Sequence, residues 1–343
     1  MTRRPGARVG SGMAHLRTNG GRFRLLWLEV HEVVSTAKNA KVTKFVFSFV
    51  FIASFVVYGV FAPSTRAQTF RGSVTTVEIP VTVTDTSNRL ITGLTKDDFE
   101  VFEDGDPQPV TQFSDKRTPV SVGVLLDISD SMRGQPIIDA RGALDRFMAD
   151  LLDSGDEAFV GAFNHLPRIL VPWTAPPSSL AGRLADERPT GGTAIYDAIF
   201  ASGPMMQRHN RTRAALIVIS DGADTASDHS LVQTREALRR SDAFVYAIAI
   251  DSATERRVST RVNPEALREI TGPSGGYTEV VRSSEDLAPA TQRIAEELNS
   301  QYTLGYATTR PQDGSWRTLR VHVKNHDYVA RARRGYFATP PKS

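Results

Sequence analysis

The feature that most constrains the fold is an apolar segment, VSVGVLLD at 120–127, followed by an amphipathic helical pattern. A strand without polar positions that leads into a helix is typical of a parallel sheet covered on both faces. Further strands are predicted near 158–163, 214–220 and 243–250, and helices near 194–206, 231–240, 264–270 and 287–298. The alternation predicts a doubly wound α/β domain with a mostly parallel sheet at 119–300.

Segments on both sides of this domain show the period-two alternation of half-buried antiparallel strands. The alternating residues are Val77, Ile79, Val81 and Val83 in the N-terminal segment, 72–118, and Tyr302, Leu304, Tyr306, Leu319, Val321 and Val323 in the C-terminal segment, 301–339. Because short strands need partners, we expect the two segments to pair into one small antiparallel β-sandwich around the inserted α/β domain. Two independent β-appendages are the alternative.

Cysteine and charge content exclude several classes of protein. The chain has no cysteine, which excludes disulfides, thiolate nucleophiles and zinc–thiolate sites. Its net charge of +3 comes from residues 1–67, which hold ten Lys and Arg against two Glu, whereas the rest has 31 basic and 36 acidic residues. An acidic body has no electrostatic footprint for a phosphate backbone, so we expect no nucleic-acid partner.

The N-terminal region, 1–67, has the layout of an export signal. An uncharged apolar stretch at 45–61 follows a group of lysines and precedes a small-residue site that ends at Ala67. As a helix this stretch would span roughly 26 Å, slightly less than the roughly 30 Å hydrocarbon core of a membrane. That length favours a cleaved signal, and an uncleaved anchor is the alternative. In both cases we expect an exported protein, secreted, periplasmic or associated with the cell envelope. It contacts the membrane only through this segment, and only if the segment is not cleaved.

Two polar loops follow predicted strands, and a third lies between them in sequence, ahead of a predicted helix. Asp127, Ser129 and Ser131 come after the first buried strand, Asp221 comes after the strand at 214–220, and Gly191-Gly192-Thr193 lies between them. The carboxyl ends of parallel strands share one sheet edge, where open α/β sheets bind ligands. Carboxylates, hydroxyls and water form an all-oxygen shell that suits Mg²⁺ or Mn²⁺. The alternative is that the hydroxyl residues are helix N-caps and that Asp221 forms a turn.

The loop sequences DISDS at 127–131, GGTAIYDAI at 191–199 and VISDGAD at 218–224 resemble the von Willebrand factor A domain with its metal-ion-dependent adhesion site. The resemblance implies a Rossmann-like fold. It also implies hydroxyl ligands from Ser129, Ser131 and Thr193, with Asp127 and Asp221 binding the metal directly or through water. The flanking sequences TVEIPVTVTD, LTKDDFEVFEDG and RRGYF are similar to those of secreted bacterial proteins that carry a related domain.

Two carboxylates and three neutral hydroxyls leave a divalent ion incompletely coordinated on one face. We therefore expect an adhesive, protein-binding module in which an Asp or Glu of a partner macromolecule, or of a neighbouring copy, completes the shell. One alternative is a structural module of the cell envelope in which the metal only stabilises the loops. A metal-dependent hydrolase is the other.

Enzyme signatures lack their usual context, so we expect a protein that is not an enzyme. The segment GPSGG at 272–276 matches the hydrolase elbow G-x-S-x-G, but it lies between a predicted helix and a predicted strand, the reverse of an elbow. The sequence has no P-loop and no dinucleotide-binding glycine motif. His165, His209 and His229 lack metalloprotease spacing, and Arg133 is the only basic residue close to Asp127 in sequence.

Two charged segments have both a structural and a functional interpretation. The acidic group at 103–106 is predicted to form a hairpin turn at Asp104-Gly105, with a calcium loop as the alternative. The stretch 329–337, with its three arginines, is predicted to be an edge strand with one charged face. A basic patch for anionic surfaces is the alternative for that stretch.

Overall fold

The computed structural model describes residues 75–174, 181–208, 211, 213–251 and 263–339. The predictions for the N-terminal region, including its apolar stretch at 45–61 and the processing site at Ala67, lie outside these residues, as does His209. Within the described ranges, no helix is both long and apolar enough to cross a membrane.

Strands and helices alternate in the central part of the chain, and strands alone occupy its flanks. The strands are β1 (Thr75–Asp85), β2 (Phe99–Glu103), β3 (Asp106–Gln108), β4 (Gln112–Ser114), β5 (Val120–Asp127), β6 (Glu157–Phe163), β7 (Pro167–Thr174), β8 (Arg213–Ser220), β9 (Phe244–Ile250), β10 (Thr278–Val281), β11 (Tyr302–Thr308), β12 (Trp316–Val323), β13 (Tyr328–Arg331) and β14 (Gly335–Phe337). The helices are α1 (Gln135–Leu151), α2 (Ala181–Ala185), α3 (Ile195–Met206), α4 (Leu231–Leu238), α5 (Pro264–Thr271) and α6 (Leu287–Asn299).

The central strands form a six-stranded sheet in the order β10-β9-β8-β5-β6-β7. Strand β5 pairs in parallel with β6 on one side and with β8 on the other, and β9 and β10 extend the sheet in parallel beyond β8. Only β7, at the far edge, is antiparallel to its neighbour. The predicted mostly parallel, doubly wound sheet is therefore confirmed, and the strand order reverses between β5 and β8.

Helices cover both faces of this sheet, which is why its inner strands have no polar face. All residues of β5 and all residues of β8 are buried. Helices α1 and α6 pack with Val122, Val124 and Leu126 on one face. Helices α3, α4 and α5 pack with Leu125 and Leu216 on the other. Two hydrophobic layers thus fix the positions of the strand ends at which the loops begin.

The flanking strands form two four-stranded antiparallel sheets, β13-β1-β11-β4 and β14-β12-β2-β3. N-terminal strands pair directly with C-terminal ones, with Val77 opposite Tyr306 and Val101 opposite Val321. The apolar residues of both sheets share one hydrophobic core. The fold-class prediction of a small antiparallel sandwich built from both flanks is confirmed.

The stretch at 329–337 differs from its prediction. It forms two short strands in different sheets, β13 beside β1 and β14 beside β12. The arginines in and after β13 contact the α/β domain instead of forming a charged outer face: Arg331 pairs with Glu297, and Arg333 lies 3.3 Å from Asp242. The prediction of one edge strand was wrong because alternation along a sequence does not show that the chain changes sheets.

The acidic group at 103–106 forms the turn between β2 and β3. Asp104 and Gly105 have φ values of 51° and 90°, as the tight hairpin turn with two left-handed positions requires. The side chain of Arg310 lies 3.4 Å from Glu103 and 3.3 Å from Asp104, and it also pairs with Asp106. An arginine of the C-terminal flank thus already neutralises the carboxylates that a calcium loop would use.

Candidate metal centre

The predicted site lies where β5 and β8 end side by side. Leu126 of β5 is opposite Ile219 of β8, so Asp127 comes next to Ser220, and Asp221 begins the loop beyond. This is the edge at which the strand order reverses, and ligands of open α/β sheets bind in such crevices. Three loops meet there: loop A (127–133), loop B (190–194) and loop C (220–230).

Loop A folds back on its own strand through Asp127. The backbone N–H of Ser129 donates to Asp127 Oδ1 at 2.8 Å, and a 3₁₀ turn then covers Asp130–Met132. Ser129 is the N-cap residue of this turn, yet its side chain makes no capping hydrogen bond. The hydroxyl of Ser129 instead lies 3.0 Å from that of Ser131.

The hydroxyls of loop A reach the carboxylate of loop C. Ser131 Oγ donates to Asp221 Oδ1 at 2.6 Å, which joins Ser129, Ser131 and Asp221 in one chain of oxygen atoms. Ser129 and Asp221 are each about 1% exposed. The structure therefore brings three of the five predicted ligands into direct contact.

Asp127 is fully buried, and its carboxylate is held by hydrogen bonds. Ser220 Oγ donates to Asp127 Oδ2 at 2.5 Å, while Oδ1 accepts the Ser129 N–H. Burial raises the pKa of Asp127 to about 7, and the negative charge of Asp221 also raises it, although the hydrogen bonds from Ser220 and Ser129 act in the opposite direction. Burial and the neighbouring charge of Asp221 thus disfavour the ionised form of Asp127.

Loop B brings Thr193 to the same place. Its backbone N–H donates to Thr225 Oγ1 at 3.1 Å, and the N–H of Thr225 donates to the Thr193 carbonyl at 2.8 Å. A Cβ added to Gly222 would lie 3.1 Å from Thr193 Oγ1, so this hydroxyl lies directly beside the residue after Asp221. Helix α3 has Ala194 as its N-cap residue, and Thr193 does not cap it.

Loop C is fastened to the first turn of α3 by Asp197. The Asp197 carboxylate accepts hydrogen bonds from the backbone N–H groups of Asp228 at 3.0 Å and His229 at 2.8 Å. The ring nitrogen Nδ1 of His229 also lies 2.8 Å from this carboxylate. Asp224 Oδ1 in turn accepts the N–H of Tyr196 at 3.2 Å. We call these contacts the α3 clasp.

Sequence reasoning missed Ser220 and the α3 clasp. Ser220 is the last residue of β8, and only the register of β8 against β5 places it beside Asp127. Asp197 and His229 lie 32 residues apart in sequence. The sequence motif GGTAIYDAI contains Asp197, but nothing in the sequence indicates that His229 is its partner.

The donor set of the cluster matches a hard divalent cation. No group of three or more His, Asp or Glu side chains that could hold a metal occurs in the described part of the chain. The cluster has two carboxylates, and its other donors are hydroxyls, which with water make an all-oxygen shell. Asp127, Ser129, Ser131, Thr193 and Asp221 are the residues that could hold such an ion.

The other candidate residues have structural partners. Ser274 follows α5 and precedes β10, and its hydroxyl donates to the Thr271 carbonyl at 2.6 Å and accepts the Val245 N–H at 2.8 Å. Arg133 lies 2.8 Å from Asp130 and donates to the Pro189 carbonyl at 3.0 Å. His229 stacks on Phe200 with the ring centroids 3.8 Å apart.

Residues 122–223, which include the first two loop sequences and all but the last residue of the third, match the family model of the von Willebrand factor type A domain. The chain carries a von Willebrand factor type A domain. The matched part of this A domain covers less than a third of the chain and contains all five predicted ligands. No curated protein matches the sequence.

The chain is also similar to solved structures. BatB from Bacteroides thetaiotaomicron is 22% identical, with 52% of this chain and 98% of that chain covered and a TM-score of 0.43. The vWF domain of the type V pilus tip protein Mfa5 from Porphyromonas gingivalis is 14% identical, with 53% and 96% covered and a TM-score of 0.45. Proximal thread matrix protein 1 from the mussel byssus, solved with zinc in its MIDAS motif, is 15% identical, with 58% and 50% covered and a TM-score of 0.48.

Proposed function

We propose that the A domain is an adhesion module that holds one divalent cation, Mg²⁺ or Mn²⁺, through Asp127, Ser129, Ser131, Thr193 and Asp221. A carboxylate of a partner macromolecule, either another protein or a second copy of this chain, completes the coordination shell. The proposed activity is recognition, and no reaction is catalysed.

The observation that carries this proposal is the oxygen cluster at the reversal point of the sheet. The Ser129 and Ser131 hydroxyls lie within hydrogen-bonding distance of each other, and Ser131 donates to Asp221. The Ser129 side chain makes no capping hydrogen bond, and Thr193 is not the N-cap residue of the helix that follows it. Burial raises the pKa of Asp127, and repulsion by the charge of Asp221 raises it further. A divalent cation would remove both the repulsion and the cost of burying charge.

Each residue has a distinct part in the proposed site. Ser129, Ser131 and Thr193 supply neutral oxygens, so they bind the cation without cancelling its charge. Both carboxylate oxygens of Asp127 already accept hydrogen bonds from Ser129 and Ser220, which fix its orientation. The bound cation would act as an electrophile that attracts an anionic oxygen of the partner.

Titration calorimetry of Mg²⁺ and Mn²⁺ into residues 68–343 tests the metal site. We expect saturable binding of one ion per chain and its loss in Asp127→Ala. The matched control is Asp130→Ala, which removes a carboxylate from the same loop that is 61% exposed and outside the proposed shell. Absence of binding by the unaltered chain, or equal binding by Asp127→Ala, would contradict the proposal.

Partner capture with and without metal distinguishes an adhesion module from the two alternatives, a structural module and a metal-dependent hydrolase. An adhesion module loses its partner in EDTA and in Asp127→Ala. A structural module keeps the partner and loses only stability when the metal is removed. A hydrolase would show turnover that disappears in Asp127→Ala.

We further propose that the protein is exported through the segment at 45–61 and acts outside the cytoplasm. The support is the order of positive group, apolar stretch and small-residue site in the sequence. N-terminal sequencing of the mature protein tests this: a start at residue 68 is expected for a cleaved signal. An intact Met1 on a protein found in the cytoplasm would contradict export.

A further inference from the structure

A cavity of about 290 Å³ lies between the A domain and the sandwich. The A domain contributes residues at the C-terminal end of α4 and just before β9, and the sandwich contributes residues of β12 and of the link between β13 and β14. Ala243, at the amino end of β9, lines it, whereas the oxygen cluster lies at the carboxyl ends of the strands. Strands of seven residues separate these two edges by roughly 20 Å.

The cavity is rich in positive charge. Four arginines line it, Arg235, Arg239, Arg333 and Arg334, against a single carboxylate, that of Asp242. The chain after residue 67 is acidic as a whole, with 36 acidic against 31 basic residues, so this is a local reversal of sign. Guanidinium groups bind carboxylates and phosphates in a planar, two-point manner.

Two of these arginines retain hydrogen-bonding capacity. The Nε atom of Arg333 is buried and makes no hydrogen bond to any residue that the structure describes. Arg334 is exposed, and its side chain forms no ion pair within the described ranges. Arg235 and Arg239 pair with Glu269 at 3.1 Å and Glu236 at 2.8 Å, but these pairs are largely exposed and hold the arginines only weakly.

Much of the remaining wall is apolar, although Ser274 and Thr318 also line it. Leu238, Ala243 and Ile270 line the cavity and are at most 7% exposed. The ring of Trp316 forms another part of the wall, with the Arg239 guanidinium 4.3 Å from its centroid. An inorganic anion has no apolar part that could pack against this wall, whereas the apolar part of an organic anion would bury it.

The geometry points to a second binding site, independent of the metal centre, for a small organic anion. The ligand carries one acid group, a carboxylate or a phosphate, which contacts Arg333 and Arg334. Its apolar body, about the size of one ring, packs against Leu238, Ile270 and Trp316. The volume is at the lower end of small-molecule pockets, which sets this size limit.

Tryptophan fluorescence and calorimetry with defined probes test the site in residues 68–343. Benzoate and phenyl phosphate are the two acid arms, benzyl alcohol is the neutral body, and inorganic phosphate is the charge alone. We expect saturable binding of at least one organic acid, at least tenfold tighter than that of either benzyl alcohol or inorganic phosphate. The acid that binds more tightly identifies the ligand class.

Variants locate the binding. Arg334→Gln removes an exposed charge and should weaken binding about tenfold, as expected for the loss of one charge-assisted hydrogen bond. Arg320→Gln is the matched control, since Arg320 is exposed on β12 and does not line the cavity. In Trp316→Phe the fluorescence change should disappear while calorimetry still detects binding. Circular dichroism checks that each variant is folded.

Three results would overturn the proposal. They are no saturable binding of either organic acid, equal affinity in Arg334→Gln and Arg320→Gln, and inorganic phosphate binding as tightly as the organic acids. Asp127→Ala should bind the anion normally, so failure of the metal centre leaves this test intact, and the reverse also holds.

Discussion

Asp127 is a carboxylate at the end of the central strand, where its side chain has no contact with solvent. The hydrogen bonds from Ser129 and Ser220 favour its charged form, but burial outweighs them, and the pKa rises from 3.8 to about 7. In the folded, metal-free protein this residue therefore keeps its proton at pH values where an exposed aspartate has lost it. A cation and a proton compete for the same oxygens.

This competition predicts a pH-dependent stability. Because the folded-state pKa is raised, protonated Asp127 stabilises the fold fully below about pH 4, and that contribution is lost as the pH rises through about 7. Relative to Asp127→Asn, the free energy of unfolding of the metal-free protein should fall by up to about 4 kcal/mol between pH 4 and pH 8. Urea denaturation at several pH values measures it.

Saturating Mg²⁺ is the control for this prediction. A bound cation favours the ionised carboxylate, so the fall in stability with rising pH should become smaller. Parallel pH profiles for the unaltered chain and Asp127→Asn, without metal, would show that Asp127 ionises normally.

Among the elements, the α3 clasp connects loop C to the helix that follows loop B. Asp197 lies in the first turn of α3, where the positive end of the helix dipole favours a carboxylate. Burial acts to raise its pKa, but the backbone hydrogen bonds of Asp228 and His229 prevail, so the pKa lies below its ordinary value. The charged form of Asp197 thus ties the far end of loop C to the helix that follows Thr193.

Removing the clasp should weaken metal binding without touching a ligand. Asp197→Asn loses charge-assisted acceptors, so we expect a loss of about 2 kcal/mol in stability and a Mg²⁺ affinity lowered three- to tenfold. Asp228→Asn is the matched control, because Asp228 takes part through its backbone. Calorimetry and urea denaturation give the two values, and equal affinities in both variants would contradict a positioning role.

The sequence was informative about elements whose pattern is set by burial. Strand β5 forms over the predicted 120–127, because a strand between two helical layers has no position for a polar residue. Strand β7 was missed: PRILVPWT has two prolines and no alternation, and it pairs with β6 through irregular register at the sheet edge. Edge strands face mixed surroundings, so their composition carries little signal.

The candidate site was predictable from its sequence motifs but not from their contacts. Ser129, Ser131 and Asp221 were selected by loop position, and the structure places them within hydrogen-bonding distance. Ser220 was not selected, since its contact with Asp127 depends on strand register. Register and the packing of loops are tertiary properties that local pattern does not encode.

At the scale of the whole molecule, Glu297 joins the A domain to the sandwich. This residue of α6 is 4% exposed and accepts hydrogen bonds from Thr82 of β1 at 3.1 Å and Tyr246 of β9 at 2.7 Å. It also pairs with Arg331 of β13, whose guanidinium lies 5.0 Å from the ring centroid of Tyr277. Three strands from two parts of the molecule thus depend on one carboxylate.

A double-mutant cycle measures this junction. Glu297→Ala leaves Arg331 partly buried without its carboxylate, so we expect a loss of about 3–5 kcal/mol in the free energy of unfolding. Arg331→Met added to Glu297→Ala should restore part of that loss, because the uncompensated charge is gone. Strictly additive effects of the two substitutions would show that the pair is not coupled.

The proposed domain division, with segments 72–118 and 301–339 forming one unit around the A domain at 119–300, predicts the behaviour of a cut chain. A protease site inserted between Asp313 and Gly314 lies in the loop between β11 and β12. After cleavage the fragments should remain together on gel filtration, since β12 pairs with β2 and β13 pairs with β1. Release of the C-terminal fragment without denaturant would favour separate appendages.

The strand pairing of the sandwich also fixes when it can form during synthesis. Thr82 and Gln301, which share a hydrogen bond, lie 219 residues apart along the chain. At a synthesis rate of about 5–20 residues per second, β11 is made on the order of tens of seconds after β1. The A domain, made in between from mostly nearby strands and helices, has time to fold first. Its folding brings β1 and β11 together and removes most of the loop-closure entropy that their pairing would otherwise cost.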